Sequence, residues 1–341
     1  MKKVLTLVLM ATLTTSVLAG CSSSKSDSTG KKVTVGTTIY KFDDTFMTGV
    51  RNAITDQAKS DNITADIVDS QNSTSAQNDK LELFISKKVN SLAINPVDPK
   101  ASSTIINKAK SANIPIVFFN RIPSEADMNS WDKLFYVGAK PEQSGTIQGQ
   151  IIADYWKAHP EADKNKDGVL DYVMITGEPG NADAIARTKY SIDQLATEGI
   201  KSNQLATDTG MWDRVKAQDK MQSFLTSKGD LIEAVFANND DMALGAIEAL
   251  KAAGYFKDGK YIPVVGVDAT APGVKAIEEG TMLGTVLNDA KNQGIATIKI
   301  AEVLGQGETP SKENTGYDIA DGKYVWIDYK KITKENVNDA K

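Results

Sequence analysis

The sequence predicts an α/β fold of two doubly wound parallel-sheet lobes. Three observations carry that expectation. Short β-branched runs alternate with helical stretches along the whole chain, the pattern of a parallel sheet covered by helices on both faces. About 320 residues follow the N-terminal leader, more than one core ordinarily holds. Finally, "IPIVFFN" and "IPVVGVD" read as the same late strand occurring once in each half.

The elements follow in order. The strand "KKVTVGTTIY" precedes the helical "DTFMTGVRNAITDQAKS", and "TADIVDS" precedes "AQNDKLELFISKKV". "SLAINPV" leads to "SSTIINKAKSA", then come "IPIVFFN" and "LFYVGA". The second half resumes with "IIADYWKAH", "DYVMITG", "ADAIARTKYSIDQLATEG" and "WDRVKAQDKMQSFLTS". It closes with "IEAVFAN", "DDMALGAIEALKAAG", "IPVVGVD" and "GTVLND".

The chain opens with Lys2, Lys3 and the apolar run "VLTLVLMATLTTSVLAG", a secretory signal too short and too broken by threonine to span a membrane. It ends in "LAGC", which reads as a lipobox in which Cys21 is lipidated and becomes the mature N-terminus. The plainer alternative is an ordinary cleavage site before an incidental cysteine. Cys21 is the only cysteine, so it has no disulfide partner within the chain, and the Ser-rich "SSSKSDSTGKK" after it suits a tether. Export and membrane attachment through the lipid alone are expected, with no nucleic-acid partner, because the mildly acidic chain has no block of Lys or Arg. The single histidine, His159, excludes a His-based catalytic or zinc site.

Ligands of open parallel sheets bind beyond the carboxyl ends of the strands. Here those ends read "YKFDDTF", "FFNR", "GEPGNADAIAR", "GMWDR", "ANNDD", "GVDA" and "LNDA". Each alone reads as a turn or helix cap; Asp44, Asn239 and Asp268 all sit where a cap belongs. As a set they supply carboxylates, amides, arginine and aromatics from both halves, an inventory suited to a neutral polyol. Carboxylates accept from hydroxyls, arginine donates in a planar fork, and an aromatic face covers the C–H surface of a pyranose.

"DKNKDGVLD" has the spacing of an EF-hand calcium loop. Asp163, Asn165 and Asp167 fall at positions one, three and five, Gly168 at six and Asp171 at nine. Position twelve, where a glutamate belongs, is Met174, which cannot ligate calcium. From spacing alone, the missing carboxylate has no source, and a solvated Asp/Asn turn without metal stays open.

In these residues the chain resembles the galactose/glucose-binding proteins of bacterial periplasms. "IYKFDDTFM", "FFNR", "NKDG", "GEPG", "ARTKY", "MWD", "ANND", "GVDA" and "GTVLNDA" occur in family order from about residue 33 onward. The resemblance implies that Asp44 bonds ring hydroxyls, Phe46 stacks on one sugar face and Trp212 covers the other. Asn120 contacts a hydroxyl, with Arg121 where the family usually has lysine. Asp183 and Arg187 reach the anomeric end, and Asn239, Asp268 and Asn288 bond the remaining hydroxyls. Asn181 replaces a family histidine at the hydroxymethyl end, which puts the glucose-to-galactose preference in question. For the loop, the resemblance implies structural Ca²⁺ held by Asp163, Asn165, Asp167, the carbonyl of Val169, Asp171 and, from a distant strand, Glu233.

By analogy, three crossings join the lobes near residues 137–140, 287–290 and 325–328. The expected organisation is a signal peptide over 1–20 and a lipidated tether over 21–32. An N-terminal lobe of 33–137 plus 290–325 and a C-terminal lobe of 138–289 plus 326–341 follow. The function implied is a monomeric, extracytoplasmic lipoprotein that captures D-galactose or D-glucose by hinge closure and delivers it to an ABC permease. A sensor presenting its closed form to a chemoreceptor is the alternative. A glycosidase is the remote one, since it needs a protonated carboxyl group. Asp183 lies four residues before Arg187, which is expected to lower its pKa, and Asp44 and Asp268 are expected to be ionised among donors. The effector domain of a sugar-responsive repressor shares the architecture, but a signal and lipid anchor stand where its helix-turn-helix belongs.

Overall fold

A computed structural model describes residues 32–341; Cys21 and the segment around it lie outside the described residues. In the first lobe, β1 (Thr34–Ile39), β2 (Thr64–Asp69), β3 (Ser91–Ile94), β4 (Ile116–Phe119) and β5 (Leu134–Gly138) are joined late by β11 (Tyr324–Trp326). The second lobe holds β6 (Val169–Thr176), β7 (Lys201–Thr209), β8 (Ala234–Ala237), β9 (Val264–Val265), β10 (Gly284–Leu287) and β12 (Lys330–Thr333). The sheet orders are β11-β5-β4-β3-β1-β2 and β12-β10-β9-β8-β6-β7, the same winding twice. In each, the chain leaves the first strand to one side and returns to the other. The switch points therefore fall between β1 and β3 and between β6 and β8, where open α/β sheets seat ligands.

Alternation along the strands sends side chains to opposite faces, so each sheet has two apolar layers. Val35, Ile39, Val117 and Phe119 pack on one side of the first sheet and Ile116 and Phe118 on the other. In the second sheet, Val173 and Ile175 oppose Leu170, Tyr172 and Met174. Helix α1 (Thr45–Ser60) shows how a helix is fixed to such a layer. Asp44 caps it, accepting from the Met47 N–H at 2.8 Å, and Met47, Val50, Ile54 and Ala58 line its buried face. Burying Val50 and Ile54 is worth roughly 1.5–3 kcal/mol each. The helix ends at Asp61, one residue past Ser60, with Lys59 in the last turn where a cation suits the carbonyl end.

The strands hand over between lobes at the cleft. β5 leads to α5 (Pro141–Ala158), which packs on α6 (Ala182–Thr197) of the second lobe. The approach is close: a Cβ on Gly149 would lie 2.2 Å from the Ser191 carbonyl oxygen. β10 leads to α10 (Ala290–Gly305), which packs on α1 of the first lobe. The third crossing falls at the end of the expected span 325–328. Trp326 pairs with Gly138 and the Ile327 N–H donates to the Gly138 carbonyl at 2.8 Å, so both belong to the first lobe. Tyr329 packs in the second, which puts the crossing at Asp328 rather than before Trp326. β12 then starts at the cleft and runs away from it, so it pairs antiparallel with β10 in an otherwise parallel sheet.

β7 is a strand the sequence did not announce. It is an edge strand whose residues are partly or fully exposed, so no apolar run marks it.

Candidate functional site

The site is built from strand ends. Two buried asparagines, Asn95 after β3 and Asn238 after β8, brace the loops around it. The Asn95 amide oxygen accepts from the Tyr40 N–H at 3.1 Å, and its nitrogen donates to the Phe119 carbonyl and the Asn120 side chain, both at 3.2 Å. The Asn238 amide oxygen accepts from the Gly177 N–H at 3.0 Å. Neither was singled out from the sequence, although an asparagine ending an apolar strand was visible in "SLAIN" and "AVFAN".

Three of the cavity-lining residues have left-handed φ: Asn120 at 61°, Trp212 at 61° and Asp268 at 120°. Such conformations cost about 1–3 kcal/mol each and persist where neighbours over-determine them. The Asn120 N–H donates to Val137 at 3.0 Å and the Asp268 N–H to Val286 at 2.8 Å.

The loops from both sheets line one common cavity at the strand ends. From the first lobe, Asp44, Phe46, Asn120 and Arg121 line it. The second lobe contributes Asn181, Asp183, Arg187, Trp212, Asn239, Asp268 and Asn288. The structure therefore brings together all eleven residues proposed for the sugar, and adds Tyr40 and Met47. Several do double duty: Asn181 caps α6 and accepts from the Ala184 N–H at 3.2 Å, while Asn239 caps α8 (Asp240–Ala252) and accepts from the Met242 N–H at 2.9 Å.

Burial governs the electrostatics. Arg187 is held by the Asn238 carbonyl at 2.7 Å, Asp183 at 3.3 Å, the Tyr329 hydroxyl at 3.3 Å and Asp268 at 3.9 Å. Even so, burial pushes the carboxyl groups of Asp183, Asp44 and Asp268 above the ordinary carboxylate range, outweighing the pull of Arg187 on Asp183 and Asp268. This corrects the expectation of lowered values: removal from water exceeds the effect of the neighbouring donors. The Arg187 Nε and the Trp212 indole nitrogen are buried donors with no protein partner among the described residues.

Arg121 lines the cavity but is committed to its wall. Its guanidinium lies 3.7 Å from the Tyr40 ring centre, donates to the Val97 carbonyl at 2.8 Å and pairs with Glu178 at 3.0 Å.

The acidic loop lies away from this cavity. Gly168 takes the left-handed turn, φ 74°, that position six requires. Asp163 accepts from the N–H groups of Asp167 and Gly168 at 3.2 and 2.9 Å, and Asp167 from Val169 at 2.8 Å. Glu233, just before β8, reaches the loop, where its oxygens accept from the Lys164 and Asp171 N–H groups at 2.7 and 2.9 Å. Asp171 itself accepts from Asn203 at 2.7 Å. Among the described residues, no three His, Cys, Asp or Glu side chains stand together as a ready metal cluster. The donor types nonetheless suit a hard cation, and the charges of Asp171 and Asp163 contribute, after burial, to raising the Glu233 carboxyl.

Residues 35–309 match the periplasmic binding protein domain. The chain belongs to this family. It is similar to the D-galactose/methyl-galactoside binding periplasmic protein MglB of Haemophilus influenzae, 45% identical over 331 residues, covering 96% of this chain and 98% of that one. A putative rhizopine-binding protein of Rhizobium meliloti is 34% identical over 306 residues, with 89% and 91% covered. Among solved structures, an ABC transporter solute binding protein from Bacillus halodurans with bound myo-inositol is similar at a TM-score of 0.75 and 31% identity, with 91% and 98% covered. Membership in this family makes the chain a binding protein rather than an enzyme.

Proposed function

We propose that the cavity takes D-galactose or D-glucose and that the two lobes close on it. The observation that carries this reading is the convergence of Asp44, Asn120, Asp183, Arg187, Asn239, Asp268 and Asn288 with Phe46 and Trp212 on one cavity fed by both sheets. Acceptors dominate, which suits a ligand rich in hydroxyl donors. The unpartnered Arg187 Nε and Trp212 donors suit a ligand that also accepts. Since each lobe supplies part of the set, a ligand contacting both favours the closed arrangement, and half-closed binding leaves polar groups unpaired.

By this reading the protein works outside the cytoplasm, tethered through lipidated Cys21, and delivers its hexose to an ABC permease. The loop from Asp163 to Asp171, with Glu233, holds a structural Ca²⁺ in the second lobe. Calorimetry with D-galactose, D-glucose, D-ribose and myo-inositol tests the ligand. Tightest binding of a hexose supports the assignment; tightest binding of ribose or myo-inositol overturns it while leaving the fold untouched.

A further inference from the structure

Glu178 and Tyr40 have no role so far, yet both are tied to the site through Arg121. Glu178 belongs to the β6–α6 loop of the second lobe and lines the adjoining cleft, not the cavity itself. Its carboxylate pairs with the Arg121 guanidinium of the first lobe at 3.0 Å. Among the described residues every other ion pair stays within one lobe. Arg121 is itself only 4% exposed at its side chain, so the pair is shielded from solvent on one side.

From Arg121 the contacts run inward. The guanidinium lies over the Tyr40 ring, and the Tyr40 hydroxyl donates to Asp44 Oδ2 at 2.5 Å. The other Asp44 oxygen is fixed by the Met47 N–H. Asp44 is therefore oriented on both oxygens, one by its own helix and one by a ring whose position depends on a contact across the cleft.

We infer that Glu178, Arg121 and Tyr40 form a positioning relay, in which closure of the lobes completes the Arg121–Glu178 pair and thereby locks Asp44 for ligand. This rests on the reading that the cavity holds a hexose. Glu178 then governs how long the ligand stays, although it touches none of it, because the pair forms only after the lobes have met. A shielded charge pair that must break before opening acts on the off-rate, whereas encounter is left nearly alone.

The experiment uses the full chain, its Glu178→Gln and Tyr40→Phe variants and the double variant, with D-galactose and D-glucose as probes and stopped-flow fluorescence as readout. Glu178→Gln is expected to raise the off-rate about 10-fold with the on-rate within about 2-fold of the parent. Tyr40→Phe is expected to weaken binding about 10-fold, and the double variant to fall well short of the roughly 100-fold product, since both act through one chain of contacts. Should Tyr40→Phe not fold, Arg121→Lys replaces it, keeping the charge but not the guanidinium over the Tyr40 ring. An unchanged off-rate in Glu178→Gln, or losses that multiply independently, overturns the relay. If the parent binds neither hexose, the sugar assignment fails separately, and solution scattering without ligand decides the relay. A larger radius of gyration for Glu178→Gln than for the parent supports it, and equal radii overturn it.

Discussion

Trp212 lies so close over Gly177 that a Cβ on the glycine would fall 2.1 Å from the indole ring. Gly177 follows β6 and Trp212 follows β7, so the missing side chain of one strand end is what lets the ring of the next lie over the cavity wall. Gly177→Ala must push the indole out of place. It is expected to weaken hexose binding by at least about 10-fold, equivalent to about 1.4 kcal/mol. Trp212→Ala should abolish tight binding and the fluorescence change that accompanies it. Titration by fluorescence and calorimetry checks both, and near-parent affinity in either variant refutes the stacking role.

Hexose affinity should fall on acidification earlier than ordinary carboxylates would dictate. Asp44, Asp183 and Asp268 are raised by burial above 3.8, while sugar hydroxyls donate to, and so favour, the charged form. Binding thus releases protons wherever these groups are partly protonated. Calorimetry across pH 4–7 in buffers of different ionisation enthalpy should show weakening with falling pH and proton release. Proton uptake on binding would contradict it.

Asp240 makes stability depend on pH with the opposite sense to a surface ion pair. It is wholly buried, accepting from Thr285 at 2.5 Å and from the Thr270 N–H and hydroxyl at 2.7 and 3.2 Å. Burial still pushes it up to about 7 from 3.8. The folded chain therefore keeps a proton that the unfolded chain releases between those values. That contribution is complete below pH 3.8 and is lost as pH rises through 7. Asp240→Asn should flatten this slope in urea unfolding at pH 5 and 7.5. At pH 5 it should cost little, because the amide oxygen can take both Thr270 donors while its nitrogen donates to the Thr285 hydroxyl. An unaltered slope would place the titration elsewhere.

Calcium should raise the melting temperature with little change in hexose affinity, since none of the six proposed ligands lines the cavity. A ligand that binds only the folded state adds about 2.7 kcal/mol when its free concentration is a hundredfold above the dissociation constant. Glu233→Gln should remove most of the calcium-dependent rise. Met174→Gln should not strengthen calcium binding, because Met174 is buried against the second lobe's core on β6. Calorimetry with calcium alone and thermal melts with a chelator check these outcomes. An unchanged melting temperature in the parent would remove the metal from the account.

Much of the architecture was legible because its period is local. Strands such as "IPIVFFN" are buried on both faces and announce themselves as apolar runs, and their polar ends marked the cavity residues. β7 was silent because an edge strand needs no such run. Tyr40 and Glu178 stood inside the quoted "YKFDDTF" and "GEPGNADAIAR", but a contact through Arg121 across two lobes has no sequence period at all. The direction of the Asp183 shift was misjudged for a related reason: spacing four residues before Arg187 shows a partner but not the depth at which both are buried.

The late strands have a consequence for how the chain is made. Each sheet takes its sixth strand from the last twenty residues, β11 for the first lobe and β12 for the second, and α10 comes back to the first lobe only after β10 of the second is complete. A polypeptide emerging from its N-terminus thus has no finished lobe until Trp326, and no second one until Thr333. Domains ordinarily fold one after another as they emerge. Here the order of the elements defers that commitment until β11 and β12 have both emerged.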